Sequence, residues 1–562
     1  MKNAIKREPC KLVCRWPSVS ILCNKKTIIT ALLALVTMAG QAQEPFFRTD
    51  SAFIIGKVNG IAPQAMPKQI IVAWNNAMTN NMRDKTVDVS ADGDFTCRMQ
   101  LHHPVLSNLV ISENNMVPFY LMPGETLHME LKQDADGHWT CNYGDGSAAK
   151  KVERLLKANL DYTNEYRMMI ADNSDLKRHT ALCDSLIRAT LGNIEAMADA
   201  RQFTPYERQL AQTMATSAIC EGFLFRHGVL CRADLNRTFT DSLYRAELCA
   251  PEYYAPLKYL PLNDPVLFVP YSYSPLATVL ATTPVCALAT FILYYAVEIQ
   301  QLRQAMNRMT GDEDNLLTQM AMMQILPKGL TRAAEAYVRR QQALADTTLT
   351  AEDRAAWEAS PYVPLDTVRH RALDGITQPE LRKEAERLFT ATFDESIAYP
   401  IPEGDGKALL ERIIQPYRGK FVLIDFWAMW CGPCKQAIEE SRDLRRQLQD
   451  NPDLRLIFIA QEDAPETSEA YKQYVRENLL GADCYPVSRK ELGQMMELLR
   501  FGGVPHYVTI SPDGQIMRNS LNYFSNNYDL FLQRLDEMKV RLSGSNETKN
   551  KKRIRRLLLP HL

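Results

Sequence analysis

Cys431 and Cys434, with two residues between them, are the side chains in this sequence best placed to do chemistry. They close the string Phe421-Val-Leu-Ile-Asp-Phe-Trp-Ala-Met-Trp-Cys-Gly-Pro-Cys-Lys435. The apolar run at 421–427 is predicted to be a buried strand, with a helix starting at the cysteines. A helix N-terminus carries about half a positive charge and free N–H groups. Both favour a thiolate at Cys431, and the thiolate is the nucleophilic form. Cys434 lies one turn on, within reach to close a disulfide. Pro433 falls in the first turn, where its missing N–H costs little. Cys431 is therefore expected to be the exposed attacking thiol and Cys434 the buried resolving one. Asp425 stands on the strand, six residues before Cys431. A carboxylate buried there is costly without partners or work, and it could accept the Cys434 proton during exchange. A lone Cys-x-x-Cys can also be half of a zinc site, but a zinc ribbon needs a second such pair and the chain has none. Redox thiol chemistry with no metal and no cofactor is the expectation.

These residues need a scaffold, and the surrounding pattern is β-α-β. Strands are predicted at 421–427 and 454–460, and helices at 433–448, 466–479, 489–499 and 527–542. Segments 504–510 and 515–518 flank Pro512-Asp513-Gly514, a hairpin turn. This C-terminal α/β domain is placed at 407–543, after a linker at 398–406 marked by its Pro and Gly content. Residues 46–145 are expected to form an all-β, sandwich-like domain, because short apolar segments alternate with turn signals such as Asp92-Gly93 and Pro123-Gly124. His102 and His103 lie near Cys97 there without ligand spacing, and are expected as surface or loop histidines. From 147 to 397 the period turns helical: Val152, Leu155, Leu156 and Leu160 share one face. Pro- and Tyr-rich breaks fall around 251–275. The many Met and Tyr of this region are expected as core filler.

At 562 residues the chain has room for several domains, and its 46% apolar and 23% charged composition is that of globular proteins. The net charge of −1 is unevenly spread. Residues 1–42 carry +6 and residues 546–562 carry +5, leaving −12 for the body. An acidic body argues against nucleic-acid binding, which depends on neutralising phosphates. Lys25 and Lys26, an apolar run at 27–39 and Gly40-Gln41-Ala42 have the form of an export signal, with cleavage expected after Ala42. No cysteine follows the run to take a lipid. A second apolar stretch at 276–297 is expected as buried helix. The tail at 544–562 is expected to be polar, basic and disordered, and only it or the signal would contact a membrane. Besides the pair and the leader's Cys10, Cys14 and Cys23, eight cysteines are scattered: Cys97, Cys141, Cys183, Cys220, Cys231, Cys249, Cys286 and Cys484. Most are expected as buried free thiols. An oxidising compartment would permit a bridge, and the sequence leaves the pairing open.

The Trp430-Cys-Gly-Pro-Cys-Lys435 string resembles the active site of the thioredoxin superfamily, and Val504-Pro505 resembles its second signature, the cis-proline facing the disulfide. Gly419-Lys420, the export signal and Pro512-Asp513-Gly514 narrow the resemblance to the exported TlpA/ResA-like thiol-disulfide oxidoreductases. The longer members of that group share the layout of a β-rich N-terminal domain, a helical middle and a thioredoxin-like C-terminal domain. The stretch 120–126, Tyr-Leu-Met-Pro-Gly-Glu-Thr, resembles their N-terminal domain. The resemblance implies catalysis by Cys431, Cys434 and Asp425, with substrate binding along Trp430, Gly432, Pro433, Val504 and Pro505. It implies protein or peptide disulfides as substrates, a membrane electron donor as partner and a place in the periplasm or cell envelope. The chain departs from many ResA-like members in carrying Ala437 for Glu and Asp425 for Asn. It also lacks the proline common further along the helix, where Glu440 and Ser441 stand. Its proton chemistry is thus closer to that of thioredoxin itself.

Two classes of function compete. One is a disulfide reductase. The other is an envelope binding or scaffold protein that uses the same groove for recognition. The intact Cys pair, Asp425 and Pro505 favour the first. A peroxidase would need a peroxidatic thiol, and Cys484, the only other cysteine of that domain, is expected to be structural.

Overall fold

The computed structural model describes residues 45–543 except 79–80, 113–114, 135–136, 228–231, 271–275, 287–298, 325–343, 345–349, 360–372, 393–397, 480, 519, 523–526 and 541. The expected export signal, the basic tail and Cys231 lie outside the described residues, as does half of the second apolar stretch. Its described start, Leu276–Thr282, is a largely buried helix. Among the described residues no helix is long and apolar enough to cross a membrane.

Eight strands form the N-terminal region: β1 (Asp50–Asn59), β2 (Gln69–Asn76), β3 (Asn81–Asp88), β4 (Asp94–Leu101), β5 (Val105–Ser112), β6 (Asn115–Leu121), β7 (Thr126–Gln133) and β8 (Trp139–Tyr143). They make two four-stranded sheets, ordered β4-β1-β7-β8 and β3-β2-β5-β6. Burial alternates strictly along β4, where Phe95, Cys97, Met99 and Leu101 point inward. That period of two is what commits a sheet to one core face. His103 lies in the loop between β4 and β5, one of the two expected placements, but not at the surface. It is 1% exposed, its Nε2 takes the Ala77 N–H at 3.1 Å, and its Nδ1 lies 2.8 Å from the Pro104 carbonyl. Acceptor at one nitrogen and donor at the other define a neutral ring, and burial pushes its pKa down to about 4. His103 is therefore a structural clip of this region.

The middle region is helical. Among the described residues its longest helices are Leu176–Ala200 and Pro205–Phe225. Thr204 and Glu207 form a reciprocal capping box at the start of the second, with Pro205 in its first turn. The Pro-rich breaks are the 3-10 segments Pro251–Tyr259 and Pro265–Phe268. Tyr253, Tyr254, Met306 and Met320 are buried in the core.

Six strands make the C-terminal sheet: β9 (Ala398–Tyr399), β10 (Phe421–Ala428), β11 (Leu454–Gln461), β12 (Asp483–Val487), β13 (His506–Ile510) and β14 (Ile516–Met517). Their order is β12-β11-β10-β13-β14-β9. β11 runs parallel to β10 and to β12, and β13 runs antiparallel to β10. All eight residues of β10 are buried, as befits a central strand covered on both faces. One face packs Val422, Ile424 and Phe426 against Leu410, Ile413, Met495 and Phe501. The other face holds Phe421 and Leu423 in one cluster and Trp427 with Ile438 and Phe458 in the next.

Two local expectations change. The segment 398–406 is not all linker. Ala398 and Tyr399 pair with Met517 and Ile516 as an edge strand. Gly406 packs so close to the Gln494–Met495 backbone that a Cβ would come within 3.0 Å of it. The expected helix at 433–448 is two helices, Gly432–Glu440 and Arg442–Leu448. The break falls at Ser441, whose hydroxyl donates back to the Ala437 carbonyl at 2.7 Å and accepts from the Arg445 guanidinium at 3.2 Å. Back-bonding of this kind bends helices.

Candidate active site

β10 ends at Ala428, and the turn that follows brings Cys431 to the N-cap of the helix Gly432–Glu440. Its amide donates to the Ala428 carbonyl at 3.0 Å. Cys431 and Cys434 are joined as a disulfide with Cα atoms 5.3 Å apart. The Cys434 N–H points at the Cys431 sulfur, 3.2 Å away. This is how an N-cap group is normally satisfied, with sulfur in place of oxygen. When the bridge opens, that N–H and the helix dipole face the Cys431 thiolate.

The Val504–Pro505 peptide bond is cis, and the Val504 carbonyl oxygen lies 3.6 Å from the Cys431 sulfur. The two segments singled out from the sequence thus meet at one sulfur. Trp430 is 67% exposed beside them, with its indole N–H donating to Gln461 at 2.9 Å. Gly432 and Pro433 form the first turn of the helix. Exposure does not separate the two cysteines as expected. Cys431 is 4% exposed and Cys434 1%, because the Val504–Pro505 segment lies against the first. The distinction between them rests on the N-cap position of Cys431.

Asp425 is 2% exposed. It lies in register between Phe458 of β11 and Tyr507 of β13. Strand alternation puts it on the same sheet face as Leu423 and Trp427. That face is the one covered by the helix bearing Cys434. Trp427 is itself closed in by Tyr471 and Tyr474, at ring distances of 6.1 and 5.3 Å. Cys484, on β12, packs half-buried against this cluster. Burial pushes its thiol up to about 12, so it is not a poised thiolate. Among the described residues no group of three or more His, Cys, Asp or Glu is placed to hold a metal ion.

Two residues at the site escaped the sequence reading. Gln461 ends β11 opposite Ala428, so aligning the ends of the two parallel strands would have found it. His506 follows Pro505, and its ring stacks on Phe501 with centroids 4.1 Å apart and planes at 11°. Burial lowers its pKa to about 4. A lone histidine in a strand carried no signal of that partner.

A parallel β-α-β unit with an antiparallel hairpin beside it, a disulfide at the N-terminus of the first helix and a cis-proline against the disulfide define a thioredoxin-like domain. The family described as thioredoxin-like matches residues 419–516. Over 98 residues the chain is 29% identical to the thiol-disulfide oxidoreductase ResA of Oceanobacillus iheyensis, covering 17% of this chain and 47% of that protein. It is 44% identical over 52 residues to a protein named putative thioredoxin 2 from Streptomyces coelicolor, covering 9% and 37%. The chain thus spans about half the length, or less, of these relatives. Similar solved structures include the thioredoxin domain of a thiol-disulfide oxidoreductase from Bacteroides vulgatus (18% identity, 21% of this chain and 82% of that one, TM-score 0.19). Another is a protein titled a putative thiol:disulfide interchange protein DsbE from Chlorobium tepidum (18% identity, 22% and 84%, TM-score 0.19). The C-terminal domain is thioredoxin-like and related to thiol-disulfide oxidoreductases.

Proposed function

We propose that the protein is an exported thiol-disulfide oxidoreductase that reduces disulfides in peptide or protein substrates. The observation that carries this reading is the Cys431–Cys434 bridge at a helix N-terminus, with the Val504 carbonyl against its first sulfur. The reduced pair starts the cycle. The Cys431 thiolate attacks one sulfur of the substrate disulfide. The substrate S–S bond breaks, the other substrate sulfur leaves as a thiolate and takes a proton, and a mixed disulfide remains. Cys434 then loses its proton to Asp425 and attacks the Cys431 sulfur. The second substrate sulfur leaves, and the Cys431–Cys434 bridge forms. Two electrons have passed to the substrate. A dithiol donor must return them before the next turnover, and a membrane-embedded one fits an envelope location. The leader expected at 1–42 supports export. The peptide edge at Val504 and the exposed Trp430 ring support docking of an extended substrate segment.

The test is turnover. With dithiothreitol as recharging donor, the purified chain is expected to accelerate reduction of the insulin disulfides well above the uncatalysed rate. Cys431→Ser is expected to remove the whole acceleration. A wild-type rate equal to that of dithiothreitol alone would overturn the reading.

A further inference from the structure

The segment from 501 to 506, Phe-Gly-Gly-Val-Pro-His, presents the Val504 carbonyl to Cys431. Two consecutive glycines make it the most conformationally permissive stretch around the site. A Cβ on Gly503 would meet nothing within 4 Å, so the space beside that residue is open. The contacts that fix the segment are at its ends. At the first end, Arg500 turns left-handed (φ 60°), the Phe501 N–H donates to the Met496 carbonyl at 3.1 Å, and the Phe501 ring packs 5.0 Å from Phe426. At the second end, His506 pairs antiparallel with Phe426 on β10. The two ends are then joined directly by the near-parallel stack of His506 on Phe501.

We infer that His506 is a positioning residue: its ring, stacked on Phe501, closes the 501–506 loop and so holds the Val504 carbonyl where a peptide substrate docks beside Cys431. The inference rests on the thiol-disulfide exchange proposed above. It assigns His506 no contact with the reacting sulfurs. Neither protonation nor hydrogen bonding is required of the ring, only its flat face, and burial keeps it neutral in the neutral pH range. Removing the ring frees the loop, and the substrate must then order it on binding. That cost falls on docking, before the exchange chemistry begins.

The experiment compares His506→Ala and His506→Phe in the full chain, with a short disulfide-linked peptide as the probe. An aromatic pair of this kind is worth about a three- to tenfold change in an equilibrium. His506→Ala is therefore expected to raise KM for the peptide by about that factor with kcat held. His506→Phe, which keeps a stacking face and loses the imidazole nitrogens, is expected to bring KM back to the wild-type value. An unchanged KM in His506→Ala overturns the proposal. So does a His506→Phe variant as impaired as His506→Ala, which would point to the nitrogens, and so does an equal fall of kcat in both, which would mark a general loss of structure. Failure of the wild-type chain to reduce the peptide at all is a different outcome. It removes the exchange reading, and this inference with it.

Discussion

Replacing Cys434 by serine leaves Cys431 covalently joined to whatever disulfide it attacks. The first displacement needs only the Cys431 thiolate, held by the helix N-terminus and the Cys434 backbone N–H. That amide is kept in the variant. The second displacement needs the Cys434 sulfur, and the serine hydroxyl cannot replace it at neutral pH. Mixed disulfides are therefore expected to accumulate with Cys434→Ser, visible as higher-mass species on non-reducing gels that reductant dissolves. Turnover falls to background. Cys431→Ser is expected to trap nothing, because Cys434 lies inside the helix, past the N-cap that favours the Cys431 thiolate. Equal trapping by both variants would remove the distinction between attacking and resolving thiol. The distinction depends on position along the helix, since the two cysteines are almost equally covered.

Asp425→Asn is expected to slow the second displacement near neutral pH by about a hundredfold, the lower end of what a positioned general base contributes. Asparagine matches the size of aspartate and cannot take the Cys434 proton. The difference should shrink as the pH rises, because the thiol then ionises into solvent without help. Rapid-mixing measurements of mixed-disulfide resolution from neutral to alkaline pH would show the two curves converging. Parallel curves, or curves that coincide throughout, would assign Asp425 a structural part only. Thermal unfolding of the variant serves as the control for fold.

What the sequence made legible follows from how local each signal is. Strand β10 is apolar on both faces and is followed at once by Cys-Gly-Pro-Cys, so strand, helix start and reactive pair were visible in one short string. The same holds for the hairpin at Pro512-Asp513-Gly514, where Gly514 adopts φ 82°. Strand β12 was missed, because Asp483-Cys-Tyr-Pro-Val487 is short, mixed in polarity and contains a proline. It exists as an edge strand through its pairing with β11. Strand β8 alternates along Trp139–Tyr143 but is only five residues long, and its pairing with β7 is what marks it as a strand. The burial of His103 was not legible, because a histidine in a loop looks solvated until its two backbone partners are known. The break at Ser441 needed the third dimension in the same way, since Arg445 reaches both Ser441 and the Ile438 carbonyl, the latter at 2.7 Å. At the site, the Cys431/Cys434 pair and the Val504–Pro505 segment are far apart in sequence, and the register of β13 on β10 is what brings them together. Phe501 and His506, whose rings stack beside that segment, leave no mark on a linear pattern, whereas Gln461 is found by aligning the ends of β10 and β11.

If Cys431 and Cys434 form a reversible, reducing dithiol–disulfide couple, equilibrating the purified chain with dithiol and glutathione redox buffers, read by thiol alkylation and mass, will show its transition. Gly432 and Pro433 between the cysteines add no charge and no side-chain donor to stabilise the Cys431 thiolate further. The buried Asp425 carboxylate disfavours that thiolate when ionised. Both favour the reducing side, and a two-electron transition is expected at about −270 mV, the value for thioredoxin. The transition should be absent in Cys431→Ser. A value near the −120 mV of the oxidant DsbA would contradict the reductase direction, and the absence of any reversible transition would contradict the exchange chemistry itself.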